Sequence, residues 1–123
     1  MLTRMEAFSR AVERLDEALA LPVSDVVRDA CIQRFEFSFE LAWKAVQQAA
    51  RNQGRDCVSP KSCLREAFAL GWLEDENAWL VMLSDRNLTS HTYNEELAQA
   101  VYGRMRIHAS LLKELNRTLS NIR

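Results

Sequence analysis

An arginine, a histidine and a tyrosine that lie close together in the sequence are the side chains best suited to chemistry. Arg86, His91 and Tyr93 fall within the polar segment RNLTSHTY, and His91 is one of only two histidines in the chain. Arginine holds a phosphate through two parallel hydrogen bonds, and histidine moves a proton near neutral pH. Together they suit metal-free attack of a ribose 2′-hydroxyl on its own phosphodiester, which would restrict the substrate to RNA.

This chemistry requires a break in the helical pattern. On an uninterrupted helix, Arg86 and His91 would point about 140° apart. Residues 89–94 are polar and compete for backbone hydrogen bonds, so they predict a break that brings the two side chains together. Across an extended turn, His91 and Tyr93 would project to the same side. Spacing alone leaves an alternative open, in which the arginine and histidine cap carbonyls or pair with a carboxylate such as Asp85.

Helical periodicity predicts the elements that must position these residues. The expected helices run from Met5 to near Pro22, from the Ser24 cap to Gln53, from the Ser59 cap to Gly71, from the Asp75 cap to about Leu88, and over most of the final thirty residues. No segment shows the sustained alternation of a strand. We therefore expect an all-α, antiparallel four-helix bundle with one additional short helix, forming a single domain over residues 1–123.

Composition and charge limit the classes of function. The 16 basic residues nearly cancel the 17 acidic ones, so overall charge does not favour DNA or an anionic membrane. The three cysteines lack zinc-site spacing and are expected to be free thiols. No apolar stretch has the length of a signal peptide or a membrane span, which predicts a cytoplasmic protein.

Two glutamates in the most apolar helix are the alternative candidates for a site. Glu36 and Glu40 lie one turn apart, as in di-iron bundles, but the Glu-x-x-His pattern of those proteins is absent. We expect no metal site and expect these glutamates to pair with Arg34 or Lys44. Arg34 has Asp85 as a second possible partner.

The apolar stripes account for most other conspicuous side chains. His108 lies on the stripe of the last helix and is expected in the core or an interface with one nitrogen satisfied. The three tryptophans follow helical spacing and are expected to pack in the core. Phe37 and Leu41 widen the apolar surface of the second helix, which fits either packing on a second subunit or a wide face inside one core.

Three blocks of sequence carry a resemblance to a known family. They are RFEFSFELAWKAV from residue 34, SPKSCLREAFALGWL from residue 59 and DRNLTSHTYNEELAQAVY from residue 85. The chain resembles the nucleotidyltransferase substrate-binding family, which looks like a branch of the HEPN superfamily. That resemblance implies a helical bundle, usually homodimeric, with an Arg-x4-His motif that Arg86 and His91 match.

The longer motif, with a tyrosine two residues after the histidine, is similar to that of HepT-type toxins. The resemblance implies a metal-independent RNase that needs no cofactor, with Arg86 and His91 as the catalytic pair and Asn87 in support. It also implies a minimal nucleotidyltransferase as partner, which transfers AMP to Tyr93 and silences the toxin. The older family name implies instead a noncatalytic substrate-binding subunit.

The charges around the motif bear on RNA binding. Carboxylates at Asp85, Glu95 and Glu96 would repel a phosphate backbone unless basic side chains offset them. The candidates for that offset lie on the last helix and are Arg104, Arg106, Lys113 and Arg117. An acidic rim would alternatively meet a basic surface of the transferase.

Overall fold

The computed structural model describes residues 2–122. This part of the chain contains six α-helices and one short 3-10 turn. They are α1 (Arg4–Leu19), α2 (Asp25–Arg51), α3 (Pro60–Ala69), α4 (Glu76–Leu88), the 3-10 turn (Thr89–His91), α5 (Glu95–Gly103) and α6 (Met105–Ser120). No strand occurs within these residues. The predicted all-helical bundle is confirmed.

Polar side chains cap the start of five helices. The side chains of Thr3, Ser24, Ser59, Asp75 and Asn94 each accept a hydrogen bond from a backbone N–H in the following turn. These bonds satisfy donors that every helix start leaves without an intrahelical partner. The three caps predicted from sequence, at residues 24, 59 and 75, are confirmed.

The long helix α2 is the centre of the fold. It contacts every other helix and the 3-10 turn, so it can support side chains that arrive from several elements. One side of α2 is buried in the core, where Phe35, Phe39 and Val46 are fully inaccessible to solvent. Phe37 lies outside this buried side and leaves 53% of its surface exposed.

The prediction of one continuous last helix is wrong, because the chain turns at Arg104. This residue has φ −99° and ψ 0°, and its N–H bonds to the Val101 carbonyl at 3.1 Å. Gly103 is a weak helix former, and Asp85 binds the Arg104 side chain, which together favour the turn. Val101 and Met105 are both buried across the turn, so the apolar spacing does not reveal it.

The cysteines also differ from expectation. Cys57 and Cys63 form a disulfide, so the prediction of free thiols is wrong for these two. The Ser62 hydroxyl accepts a hydrogen bond from the Val58 N–H at 3.1 Å, which folds the approach to α3 back on its first turn. The two Cα atoms are thereby 5.0 Å apart, within the range of a disulfide. Cys31 is free and buried, and burial raises the pKa of its thiol.

The tryptophans lie against the core, as the sequence predicts. Trp79 is buried, while Trp43 and Trp72 are half-buried and pack on the core cluster. Within residues 2–122, no helix combines the length and the apolar character needed to cross a bilayer.

Candidate functional site

The predicted helix break is present at the end of α4. The hydroxyls of Thr89, Ser90 and Thr92 donate hydrogen bonds to the carbonyls of Arg86 at 2.6 Å, Asn87 at 3.3 Å and Thr89 at 3.0 Å. These local bonds stabilise a 3-10 turn. The prediction of an extended turn is therefore wrong. The backbone stays in a helical conformation there, because the hydroxyls bond to carbonyls of the preceding turn.

His91 and Tyr93 lie together at the surface beyond this break. Their rings meet edge to face, with centroids 6.1 Å apart and an interplanar angle of 74°. Tyr93 exposes 86% of its surface, and His91 is exposed as well. The two side chains thus project to the same side, as expected, and the phenol hydroxyl is open to another protein. Asn87 is exposed one residue after Arg86.

Arg86 turns toward α2 and pairs with Glu40. Its Nη2 donates a hydrogen bond to Oε1 of Glu40, and Oε2 of Glu40 accepts one from Nε1 of Trp43 at 3.2 Å. The predicted pairing of Glu40 with Arg34 or Lys44 is wrong, since Arg34 donates instead to the carbonyl of residue 14 at 2.7 Å. Within residues 2–122, no hydrogen bond joins Arg86 to His91.

A buried acid–base network lies immediately before Arg86. Asp85 accepts two hydrogen bonds from Arg104, at 2.8 and 2.7 Å, and one from Nε2 of His108 at 2.7 Å. His108 is 2% exposed, stacks on Phe35 at 5.3 Å and has no partner for Nδ1 within the described residues. The expected core histidine with one satisfied nitrogen is confirmed.

Opposing effects act on the Asp85 carboxyl. Burial alone would raise the pKa of Asp85, but hydrogen bonds and charge from Arg104 and His108 outweigh it and hold that pKa below its usual range. The carboxylate is therefore ionised at neutral pH and anchors the end of α4 to α6. Sequence reasoning missed this network. A signal was available, because Asp85 follows the apolar Met82 by three residues and so lies on the same side of α4, where a carboxylate needs a buried partner.

The acidic residues near Tyr93 are partly neutralised. Arg28 of α2 donates two hydrogen bonds to Glu95 at the start of α5, at 2.7 and 3.1 Å. The hydrogen bonds from Arg28 lower the pKa of Glu95 and keep it ionised. Glu96 is exposed beside it. The arginine that offsets the Glu95 charge therefore comes from α2, and the sequence did not predict this pair.

Most basic side chains expected to bind RNA have other partners. Arg104 is bound to Asp85, Arg106 donates to the Leu19 carbonyl at 3.0 Å, and Lys113 pairs with Asp16 at 2.6 Å. Arg104 thus offsets Asp85, one of the three carboxylates, as the sequence suggests, whereas Arg106 and Lys113 stabilise helix packing elsewhere. Arg117 is exposed on α6.

This end of the bundle carries a guanidinium, an imidazole and an exposed phenol, which are groups able to bind an anion, to transfer a proton and to accept a modifying group. Among residues 2–122, no cluster of three or more His, Cys, Asp or Glu side chains is placed to hold a metal ion. Glu40 and Arg86 are 46 residues apart, so no spacing in the sequence could have paired them.

Comparisons with known proteins agree with this architecture. The family model described as nucleotidyltransferase substrate binding protein like matches residues 3–121. A Haemophilus influenzae protein named "Probable ribonuclease HepT" is 36% identical over 88 residues, which cover 68% of this chain. Those residues span only 60% of that relative's length.

Two solved structures have the same fold. A crystal structure of a protein from Thermus thermophilus has 41% identity and a TM-score of 0.86, covering 91% of this chain and 98% of its own. A Haemophilus influenzae structure, described as revealing the fold of a substrate binding domain of a nucleotidyltransferase, has 26% identity and a TM-score of 0.86, covering 95% and 99%. Because the family model matches residues 3–121, which is nearly the whole chain, the chain belongs to the nucleotidyltransferase substrate-binding protein family.

Proposed function

We propose that this chain is the partner of a small nucleotidyltransferase and that it cleaves RNA with Arg86 and His91. The observation that carries the proposal is the polar break after α4, which presents His91 and Tyr93 to solvent on the helix end that bears Arg86. The similarity to a protein named probable ribonuclease supports the same activity.

The proposed reaction is an internal transesterification. The ribose 2′-oxygen attacks the adjacent phosphorus, the bond from phosphorus to the 5′-oxygen breaks, and a 2′,3′-cyclic phosphate forms. Arg86 binds the phosphate oxygens, where negative charge develops in the transition state. His91 transfers a proton, either from the 2′-hydroxyl or to the departing 5′-oxygen. The other transfer falls to a second copy of His91 if two chains share one cleft.

Cleavage of a single-stranded RNA in the presence of EDTA tests this activity. The wild-type chain should yield cyclic phosphate and 5′-hydroxyl ends, and Arg86→Ala and His91→Ala should each remove the activity while remaining folded. Arg65→Ala removes an exposed arginine of α3 and should cleave normally. Equal activity in the wild type and the two site variants would overturn the assignment.

We propose Tyr93 as the acceptor of AMP from the partner. Its exposed Oη would attack the α-phosphorus of ATP, releasing pyrophosphate and its own proton. Incubation with the transferase and ATP should add the mass of one AMP, and Tyr93→Phe should prevent the addition. Tyr102→Phe is the control, because its hydroxyl is buried. A label that persists in Tyr93→Phe would contradict the proposal.

A second copy of this chain is the proposed occupant of a groove between α1 and α2. The groove is about 380 Å³, is mostly apolar and includes Phe37 and Glu40, so it borders the Arg86 site. Phe37→Asp should convert a dimer to a monomer in light scattering, whereas Val26→Asp, on an exposed valine of the same helix, should not. If the wild type is already a monomer in light scattering, the proposed dimer is wrong.

A noncatalytic partner subunit is the second candidate function. The observation that favours it is the pairing of Arg86 with Glu40, which already occupies part of the guanidinium. A subunit of this kind should bind the transferase of a neighbouring gene but leave RNA intact. Cleavage that depends on both Arg86 and His91 would exclude it.

A further inference from the structure

Glu40 is bonded at both of its carboxylate oxygens. Oε1 accepts a hydrogen bond from Nη2 of Arg86, and Oε2 accepts one from Nε1 of Trp43 at 3.2 Å. All three side chains are partly buried, and α2 and α4 are in contact. The carboxylate is thus fixed from its own helix by Trp43, and it in turn fixes a side chain of the neighbouring helix.

The pair leaves part of the Arg86 guanidinium available. Glu40 engages one nitrogen of the three, Nη2, and Nε is buried, whereas Nη1 is neither buried nor hydrogen-bonded among the described residues and is left to face a phosphate. A guanidinium has five N–H donors in a rigid plane, so one edge can be held while another binds a phosphate. A free arginine would have to lose considerable rotamer entropy on binding.

We propose that Glu40 is a positioning residue that orients Arg86 for phosphate binding, with Trp43 holding Glu40 in turn. This inference rests on the proposed role of Arg86 in RNA cleavage. An opposite role is that Glu40 competes with the phosphate for Arg86, in which case its removal would increase activity. The sign of the change in cleavage therefore decides between the two roles.

Four variants separate the positioning role from simple loss of structure. Glu40→Ala removes the carboxylate, whereas Glu40→Gln keeps an oxygen that accepts from Arg86. Trp43→Phe keeps an aromatic ring and removes the N–H that holds Glu40. Glu36→Ala is the matched control, because Glu36 is half-buried one turn earlier on α2 and has no side-chain hydrogen bond within residues 2–122.

RNA cleavage by these variants is the first measurement. A misplaced catalytic group costs up to about 100-fold in rate, so Glu40→Ala should lower kcat/KM by about 10- to 100-fold. Glu40→Gln should recover part of that loss, Trp43→Phe should lower the rate less, and Glu36→Ala should match the wild type. Increased cleavage by Glu40→Ala would overturn the proposal, and so would equal losses in Glu40→Ala and Glu40→Gln.

A second measurement does not depend on cleavage. The Nε–H of Arg86 gives an NMR signal that Arg86→Lys identifies by its disappearance. In Glu40→Ala this proton should exchange faster with water and its signal should shift, while in Glu36→Ala it should remain unchanged. An unchanged Arg86 signal in Glu40→Ala would refute the positioning role. If the wild type cleaves no RNA but the signal responds as expected, the proposed RNase function fails while the pairing stands.

Discussion

Replacement of Asp85 by Asn should destabilise the fold by about 3 kcal/mol, because a buried ionic network loses its central charge. A hydrogen bond to a charged group contributes about 1.5 to 3 kcal/mol to stability. The bond between Asp85 and His108 should contribute this full amount, because both side chains are buried. The Arg104 side chain is 41% exposed, so its share is reduced by solvent screening. For a chain of this size, the loss corresponds to a decrease of about 10 °C in Tm.

The pH dependence tests the cause of that loss. Since Asp85 has a lower pKa in the folded state, its stabilising effect is present above the unfolded pKa of about 4 and is lost as pH falls through the folded pKa. Urea unfolding should therefore give a larger difference in unfolding free energy between wild type and Asp85→Asn at about pH 5 than in stronger acid.

The control for this experiment is Glu114→Gln, which removes an exposed carboxylate on α6 without a side-chain partner in the described residues. It should leave the free energy of unfolding within about 0.5 kcal/mol of the wild type. An equally mild effect of Asp85→Asn at pH 7 would refute the ionic origin of the stabilisation. A difference that stays constant down to about pH 3 would also refute it, because a lost ionic interaction must weaken as the carboxylate is protonated.

Three further results are expected from other parts of the structure. Ser59→Ala should lower the free energy of unfolding by about 1 kcal/mol, because it removes the cap of α3. Ser110→Ala, at an exposed position of α6, should leave that free energy unchanged. Cys31 should resist alkylation at about pH 8 in the folded chain and react after denaturation, since its thiol is buried and its pKa is raised; rapid native labelling would contradict this. Glu95→Gln should speed amide exchange in the first turn of α5, because it weakens the pairing with the α2 arginine, whereas Glu96→Gln should not.

The local pattern of the sequence accounts for most of the fold. Residues such as Ser24 and Asp75 mark helix starts through bonds to N–H groups only a few residues away, so their effect is visible in a short window. The polar residues after α4 likewise predict their own break. The turn at Arg104 has no such local signal, because buried residues keep their helical spacing on both sides of it.

The contacts of the candidate site were much harder to predict. Asp85 and Glu40 both have partners on other elements, 19 to 46 residues away in sequence. Which cation reaches which carboxylate depends on how α2, α4 and α6 pack, and many arginines of this chain compete for each acid. The residue types of the site are therefore readable from the sequence, while its pairing requires the tertiary structure.

The hydroxyl groups of the helix break also affect the local electric field. The C-terminal end of a helix carries a partial negative charge from unpaired carbonyls, which disfavours an approaching anion. At the end of α4, Thr89 and Ser90 donate to the carbonyls of Arg86 and Asn87 and so offset part of that charge. Valine or alanine at these two positions would remove both hydroxyl donors and leave the Arg86 carbonyl with only the bond from the Thr89 N–H. The two hydroxyls therefore reduce the repulsion that this helix end would exert on an anion.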